Sequence, residues 1–144
     1  MFRQALIAAT LSVGMVSGAY AATVQFHATM NGASEVPPTD SPGTGEAQAT
    51  LDTTTHKLTY NVTFEGLKTA ATMAHFHGPA PAGKNAGIAV WLSQKGKTPT
   101  SPLTGSATLT AQQQQQLMSG MWYVNVHTKA HPSGAIRGQM EEAK

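Results

Sequence analysis

The sequence contains no cysteine, which excludes disulfides, thiolate zinc sites, iron–sulfur clusters and thiol catalysis from the 144-residue chain. Charged residues are scarce at 11%, against roughly 25% in a typical soluble protein. The formal net charge is only +2 and the basic residues form no cluster, so the sequence offers nothing for nucleic acid to bind. The six histidines are therefore the main side chains left for unusual chemistry.

Long apolar runs are also missing, and the most apolar stretch is a short one at residues 5–16. It follows Arg3 and precedes Ala19-Tyr20-Ala21, an order that is typical of a cleaved secretory signal. A membrane span would need about 20 apolar residues. We therefore predict that residues 1–22 are a signal peptide cleaved near Ala21 or Ala22. The mature protein is then one domain over residues 23–144, periplasmic or secreted, with no membrane span.

The remaining sequence reads as short strands separated by turns that are rich in glycine, proline, serine and threonine. Alternation is clearest over residues 57–64, where every second residue is apolar. The run at 88–92 is nearly all apolar and is predicted to be buried. In all, eight strands are predicted, over residues 23–30, 46–51, 57–64, 72–77, 88–92, 103–109, 121–128 and 135–140.

One short helix is predicted at residues 111–119. Thr110 and Gln113 have the spacing of a capping box, and Gly120 is a residue at which helices commonly end. Eight short strands with one short helix predict an all-β protein, built as an antiparallel Greek-key sandwich or barrel. The architecture expected is superoxide-dismutase-like or immunoglobulin-like.

Two of the predicted strands carry histidines. His75 and His77 alternate with apolar residues, so both leave the same face of the strand, about 6.5–7 Å apart. Two imidazoles at that spacing can both reach one ion at about 2.0–2.1 Å. His127 lies on the second strand, again opposite the apolar face, and His131 follows in the next turn. We therefore predict a metal site at the rim or surface, formed by His75, His77 and His127 with His131 as fourth ligand.

The ligand type indicates the metal. Imidazoles without a thiolate suit copper(II) or zinc, and the affinity order favours copper. Met73 shares the face of the histidine pair and is interpreted as a thioether contact or, more simply, as a gap filler. His27 is interpreted as an outer ligand or a solvated residue, and His56, in a predicted hairpin turn, as solvated. The spacing leaves open whether the two histidine strands meet within one chain or across a homodimer.

Two further residues have alternative interpretations. Arg137 is the one arginine of the predicted mature chain. Its guanidinium either locks the last strand through an ion pair or carbonyl-binding fork or attracts an anion towards the metal. Glu35, which precedes Pro37 and Pro38, is interpreted as structural.

Five segments of the chain form a recognisable set: Asn31–Pro38 (NGASEVPP), Leu58–Tyr60 (LTY), Ala74–Ala80 (AHFHGPA), Tyr123–Thr128 (YVNVHT) and Pro132–Gln139 (PSGAIRGQ). Together they resemble the CHRD domain, a family named from chordin. The resemblance implies an all-β fold, and His75, His77 and His127 fit the family pattern. The sequence departs from that pattern at Ala135, where the family usually has the glutamate of Gly-Glu-Ile-Arg-Gly, and at His131, which is commonly not histidine.

The histidine pair, the distant histidine and the arginine are also loosely similar to copper–zinc superoxide dismutases, although the usual disulfide is excluded here. The sequence therefore predicts an exported copper-binding β protein that serves copper storage, delivery or tolerance. One alternative is a copper-dependent redox enzyme of superoxide dismutase type, with Arg137 steering the anion. The other is a metal-free adhesion or interaction domain whose histidines are structural.

Overall fold

The structure is a computed structural model and describes residues 22–144. Residues 1–21, which include nearly all of the predicted signal peptide, lie outside the described part. The elements are β1 (Thr23–Asn31), β2 (Thr44–Asp52), β3 (Lys57–Glu65), β4 (Ala71–His77), β5 (Ile88–Trp91), β6 (Leu103–Thr108), α1 (Ala111–Met118), β7 (Tyr123–Thr128), β8 (Ile136–Gln139) and β9 (Glu141–Glu142), with one 3₁₀ turn at Gly32–Ser34.

The strands form one antiparallel sheet that curls into a nearly closed barrel. Their order is β5-β4-β7-β8-β1-β2-β3-β6, and the two-residue β9 pairs with β1. The prediction of an all-β antiparallel fold with one short helix is therefore confirmed. β4 and β7, the two strands that carry histidines, are direct neighbours within one chain.

Period-two alternation decides which side chains fill the barrel. In β3, Leu58, Tyr60 and Val62 are buried while the residues between them are exposed, as the sequence pattern predicts. Trp122 and Phe76 pack in the same core with ring centroids 5.9 Å apart. Burial of these apolar side chains is the main favourable term in folding.

The helix begins where the sequence predicts. The Thr110 hydroxyl accepts a hydrogen bond from the Gln113 backbone at 3.1 Å, and the Gln113 side chain accepts one from the Thr110 backbone at 2.9 Å. This capping box satisfies two amide groups that the first helical turn leaves free. The helix ends at Met118, one residue before the predicted end, and buries Leu117.

The prediction that residues 88–92 are buried was wrong for two of them. Ile88 is 47% and Trp91 39% exposed. β5 is an edge strand of the sheet and pairs only with β4, so one of its sides faces solvent.

His56 is also less solvated than predicted, because it is half-buried and its Nδ1 lies 2.8 Å from Gln114 Oε1 on α1.

The outward faces of the two halves of the barrel differ. Outward residues of β1, β2 and β3 are mostly exposed, whereas every residue of β7 is buried, on both faces of the strand. The loops at residues 78–87 and 129–135 supply hydrogen bonds to outward side chains of β4 and β7. The barrel therefore has a second, polar interior beneath these loops.

No helix within residues 22–144 is long and apolar enough to cross a membrane.

Candidate functional site

Three histidines meet in the polar interior beneath the loops. His75 and His77 come from β4 and His127 from β7, where its Cα pairs with that of Met73. One ring nitrogen from each histidine can be chosen so that all three lie within 4.8 Å of one another. Three of the four side chains predicted as ligands therefore come together.

The expected position at a rim or surface was wrong. His75 is 1%, His77 8% and His127 7% exposed. The histidines do leave the face opposite the apolar core, but the two loops cover that face. Strand alternation shows the direction in which a side chain points, and it contains no information about a loop that folds over it.

His75 and His127 are the closest pair in the cluster, with 3.2 Å between His75 Nδ1 and His127 Nε2. Two nitrogens bonded to one ion at 2.0–2.1 Å would be about 2.9–3.4 Å apart at tetrahedral or right angles. The other ring nitrogen of His75, Nε2, is buried with no hydrogen-bond partner. Leaving a buried polar atom unpaired costs about 1–3 kcal/mol, a cost typical of a functional site.

Backbone carbonyls fix the rings of the other two histidines. His127 Nδ1 lies 2.9 Å from Pro132 O, and His77 Nδ1 lies 3.0 Å from Ala86 O. A carbonyl accepts only, so both Nδ1 atoms carry protons, and Nε2 of the neutral His127 ring keeps its lone pair. Metal-binding histidines commonly donate their second N–H to a carbonyl in this way.

The environment keeps the three imidazoles neutral. Burial, together with smaller contributions from repulsion by His127 and His77, lowers the pKa of His75 to about 4. Burial also lowers the pKa of His77, against hydrogen bonds to Ala86 and Asn125 that raise it. The pKa of His127 is lowered by burial in the same way. Neutral imidazole is the form that binds metal ions.

A stack of three side chains supports His77 from one side. The Tyr123 ring lies parallel to the His77 ring, with an interplanar angle of 3° and centroids 4.8 Å apart. The Arg137 guanidinium lies over the Tyr123 ring, with its Cζ 3.5 Å from the ring centroid. It also donates to Asn85 Oδ1 at 2.9 Å and to the Lys84 carbonyl. Arg137 is 2% exposed. Its burial and its two hydrogen bonds favour the interpretation as a carbonyl-binding fork over the attraction of an anion.

Trp91 lies against the cluster from the edge strand. Its indole is nearly perpendicular to the His75 ring, with centroids 4.2 Å apart. Lys95 Nζ lies 5.9 Å from the centroid of the same indole. A half-exposed aromatic side chain thus separates solvent from a buried imidazole.

Two further residues of the site were not assigned to it from the sequence. Asn125, two residues before His127 on β7, is 2% exposed and places Oδ1 2.9 Å from His77 Nε2. Glu35, from the loop before β2, is 4% exposed and hydrogen-bonded by Asn125. Burial raises the pKa of Glu35 to about 7, although Arg137 and the Asn125 hydrogen bond lower it. The polar position of Asn125 within an apolar strand was the available signal.

Gly134 makes room for this pair. Its φ is +129°, and a Cβ built there would overlap Glu35 Oε1 and crowd Asn125 Nδ2. The Oε1 atom of Glu35 is buried without a hydrogen-bond partner. The carboxyl and the amide therefore share a small enclosed space beneath the loop of residues 129–135.

Of the remaining candidates, the structure keeps His131 and His27 out of the histidine cluster and places Met73 beside His127 on the neighbouring strand. His131 lies in the loop, 3.2 Å from Asp40 Oδ1, and is not a member of the group formed by the other three. His27 is exposed on β1. Met73 is half-buried and faces His127 across the strand pair.

The donor set is chemically consistent with a transition metal. It offers three neutral imidazoles, two of them oriented by carbonyls, and no thiolate or carboxylate within the cluster. Imidazole ligands suit copper and zinc. The residues therefore fit the metal site predicted from the sequence, with three ligands supplied by the cluster.

Comparison with known proteins places this site in a family. No curated protein and no solved structure gives a significant match. The family model of the CHRD domain matches residues 26–140, which include both histidine strands and the loops that cover them. The chain belongs to the CHRD domain family.

Proposed function

We propose that this chain is an exported copper-binding protein that holds the ion through His75, His77 and His127 for storage, delivery or tolerance. The observation that carries the proposal is the buried triad, whose ligand nitrogens lie within 4.8 Å of one another. Such a group costs stability unless an ion or hydrogen bonds satisfy its lone pairs. Two of its nitrogens, His75 Nδ1 and His127 Nε2, lie 3.2 Å apart, a separation that suits two ligands of one ion.

Copper is favoured over zinc by the ligand type. Neutral imidazoles bind both ions, and copper(II) binds such sites more tightly than the other divalent first-row ions. The absence of cysteine from the whole sequence also removes the thiol that copper would oxidise most readily. The proposed ligand set is the three clustered histidines; His131, predicted as a fourth ligand, lies 3.2 Å from Asp40 Oδ1, and its part in binding stays a prediction.

Export is part of the proposal because of the sequence of residues 1–22. The charged start, the short apolar run and the Ala-Tyr-Ala segment are the features of a cleaved secretory signal. N-terminal sequencing of the mature protein from a periplasmic or secreted fraction tests this part separately. A mature chain that begins at Met1 would contradict it.

A titration with copper and zinc tests the metal site. The metal-free protein is titrated with each ion, and binding is followed by absorption spectroscopy and by melting temperature. We expect copper to bind with a Kd below about 10 μM, a ceiling that a dedicated ligand set should surpass. Failure of both ions to bind with a Kd below about 10 μM would contradict the proposal and favour the metal-free interaction domain.

The copper-loaded protein then separates a carrier from a redox enzyme. We expect no superoxide dismutation above that of an equal concentration of free copper. Arg137, the residue that such an enzyme would use to steer the anion, is buried and bonded to Asn85 and Lys84. Fast dismutation by the loaded protein would instead support the enzyme alternative.

A further inference from the structure

Asn125 lies in the middle of the three histidines on the sheet. Its Cα pairs with that of His75 on β4, and it precedes His127 by two positions on β7, so both histidines share its face. His77, two positions after His75, lies diagonally across the same strand pair. The Asn125 side chain is 2% exposed. It is therefore a buried polar group with all three histidines as neighbours.

The contact between Asn125 and His77 brings two acceptors together. Asn125 Oδ1 lies 2.9 Å from His77 Nε2. The neutral His77 ring carries its one proton on Nδ1, which donates to Ala86 O, so Nε2 presents a lone pair. The carbonyl oxygen of an asparagine side chain also only accepts. The two atoms share no hydrogen, and such a buried contact is unfavourable unless a positive charge lies against both lone pairs.

Glu35 fixes which end of the Asn125 amide faces His77. The amide donates a hydrogen bond to the Glu35 carboxylate, so its nitrogen lies on that side. A Cβ built at Gly134 would crowd both Glu35 Oε1 and Asn125 Nδ2, which shows that these two groups lie side by side. A half-turn of the amide would set its oxygen against the carboxylate and lose the bond. Groups that bind metal ions are commonly oriented by an outer hydrogen bond of this kind.

We propose that Asn125 Oδ1 is a fourth ligand of the ion, beside nitrogens of His75, His77 and His127. This inference rests on the proposed metal function and deepens it. Two atoms bonded to one ion at about 2.0–2.2 Å are about 2.8–3.6 Å apart at right or tetrahedral angles. The 2.9 Å between Asn125 Oδ1 and His77 Nε2 and the 3.2 Å between His75 Nδ1 and His127 Nε2 both fall in this range.

A set of three imidazole nitrogens and one amide oxygen favours copper(II), which is typically bound by nitrogen and oxygen ligands in a tetragonal arrangement. The amide oxygen is neutral, so it adds a ligand to the buried site without adding a charge. The fourth position is then filled from β7. His131, which lies beside Asp40 in the loop, is not required for it.

Substitution of Asn125 tests the contribution of its oxygen to affinity. We expect Asn125→Leu, which keeps the size of the side chain without the oxygen, to bind copper(II) about tenfold or more weakly than the wild type. Asn61→Leu, on the exposed face of β3, is the matched control and should bind as the wild type does. A folded Asn125→Leu protein with wild-type affinity would overturn the fourth ligand.

Infrared spectroscopy separates a ligand from a residue that merely supports Glu35, because loss of either role weakens binding. The protein is labelled with ¹³C at the side-chain carbonyl of asparagine, and spectra are compared before and after addition of copper(II). We expect one asparagine carbonyl band to move to lower frequency, since coordination through oxygen weakens the C=O bond. The same change should be absent from Asn125→Leu and present in Asn61→Leu.

Copper-loaded wild type in which no asparagine carbonyl band moves would overturn the proposal, whether or not the Asn125 variant folds. Failure of the wild type to bind copper or zinc at all would instead overturn the proposed function.

Discussion

His75 Nδ1 lies 3.2 Å from His127 Nε2, and the two residues are 52 positions apart in the chain. Their strands are direct neighbours in the sheet, so the pairing of β4 with β7 brings the rings together. His127 Nδ1 donates to Pro132 O, which leaves Nε2 of the neutral ring as the acceptor facing His75. The contact therefore joins the two ligands that the structure holds nearest to a metal-binding geometry.

Removal of one member of this pair should abolish metal binding. We expect His75→Ala to weaken copper binding by more than about 100-fold, because a ligand is lost from a three-histidine set. His131→Ala is the comparison, since His131 is paired with Asp40 outside the cluster. It should change affinity by less than about twofold. A large loss in His131→Ala, measured by the same titration, would restore His131 as the fourth ligand.

The sequence was sufficient to predict those features that depend on local periodicity and capping. Alternation in β3 and the capping box at Thr110 are encoded by residues within a few positions of one another. The burial of the histidines depends on the loop at 78–87, which reaches them only in the folded barrel. The exposure of Trp91 likewise follows from the place of β5 in the strand order, and no local pattern indicates that place.

The contact of Glu35 with Asn125 is the clearest case of information that the sequence does not carry. The two residues lie on separate loops and strands, and they meet because Gly134 leaves space for both. A polar residue such as Asn125 within the apolar strand β7 indicates that a hydrogen-bond partner exists. It does not identify a glutamate some ninety positions earlier, since nothing local links the two segments.

The buried carboxyl of Glu35 should make stability depend on pH. Burial raises its pKa to about 7 from an ordinary 4.5, so its stabilising contribution is complete below pH 4.5 and is lost as the pH rises through 7. Glu35→Gln keeps the shape without the charge. We expect the free energy of unfolding of this variant, relative to wild type, to rise by up to about 3 kcal/mol between pH 4.5 and 8.

The measurement is chemical denaturation of the metal-free proteins across that pH range, with Glu46→Gln as the control. Glu46 is exposed on β2, so Glu46→Gln shows what the same substitution does away from a buried site. A difference for Glu35→Gln that changes with pH no more than this control would show that the buried carboxyl is ionised to the same extent in the folded and unfolded states.

Gly134 should be intolerant of any side chain. Any other residue type at this position would be strained by the φ of +129°, and its Cβ would overlap Glu35 Oε1. We expect Gly134→Ala to lower the free energy of unfolding by more than about 2 kcal/mol. Gly83→Ala separates the two causes, because Gly83 has a φ of +81° but nothing within 4 Å of the position that a Cβ would take. Gly83→Ala should lower the free energy of unfolding by only about 1 kcal/mol. Equal losses for the two variants would show that the overlap with Glu35 adds nothing to the cost of Gly134→Ala.

Arg137 should be required for the loop that orients His77. Arg137→Lys keeps the charge but loses the planar fork that reaches Asn85 and the Lys84 carbonyl, and also the stack on Tyr123. We expect a loss of about 2–3 kcal/mol in unfolding free energy. Copper binding should also weaken, by about tenfold, because the neighbouring Ala86 carbonyl no longer holds His77 Nδ1 firmly.

The alternative role of Arg137, steering an anion to the metal, gives the opposite pattern. Lysine would then preserve both the melting temperature and the copper affinity, and only the rate of a reaction with superoxide would fall, with a dependence on ionic strength. Asn85→Ala removes one acceptor of the fork while leaving the guanidinium itself intact. If the loop is what Arg137 holds, this variant should show a smaller loss of stability and of copper affinity than Arg137→Lys, in the same direction.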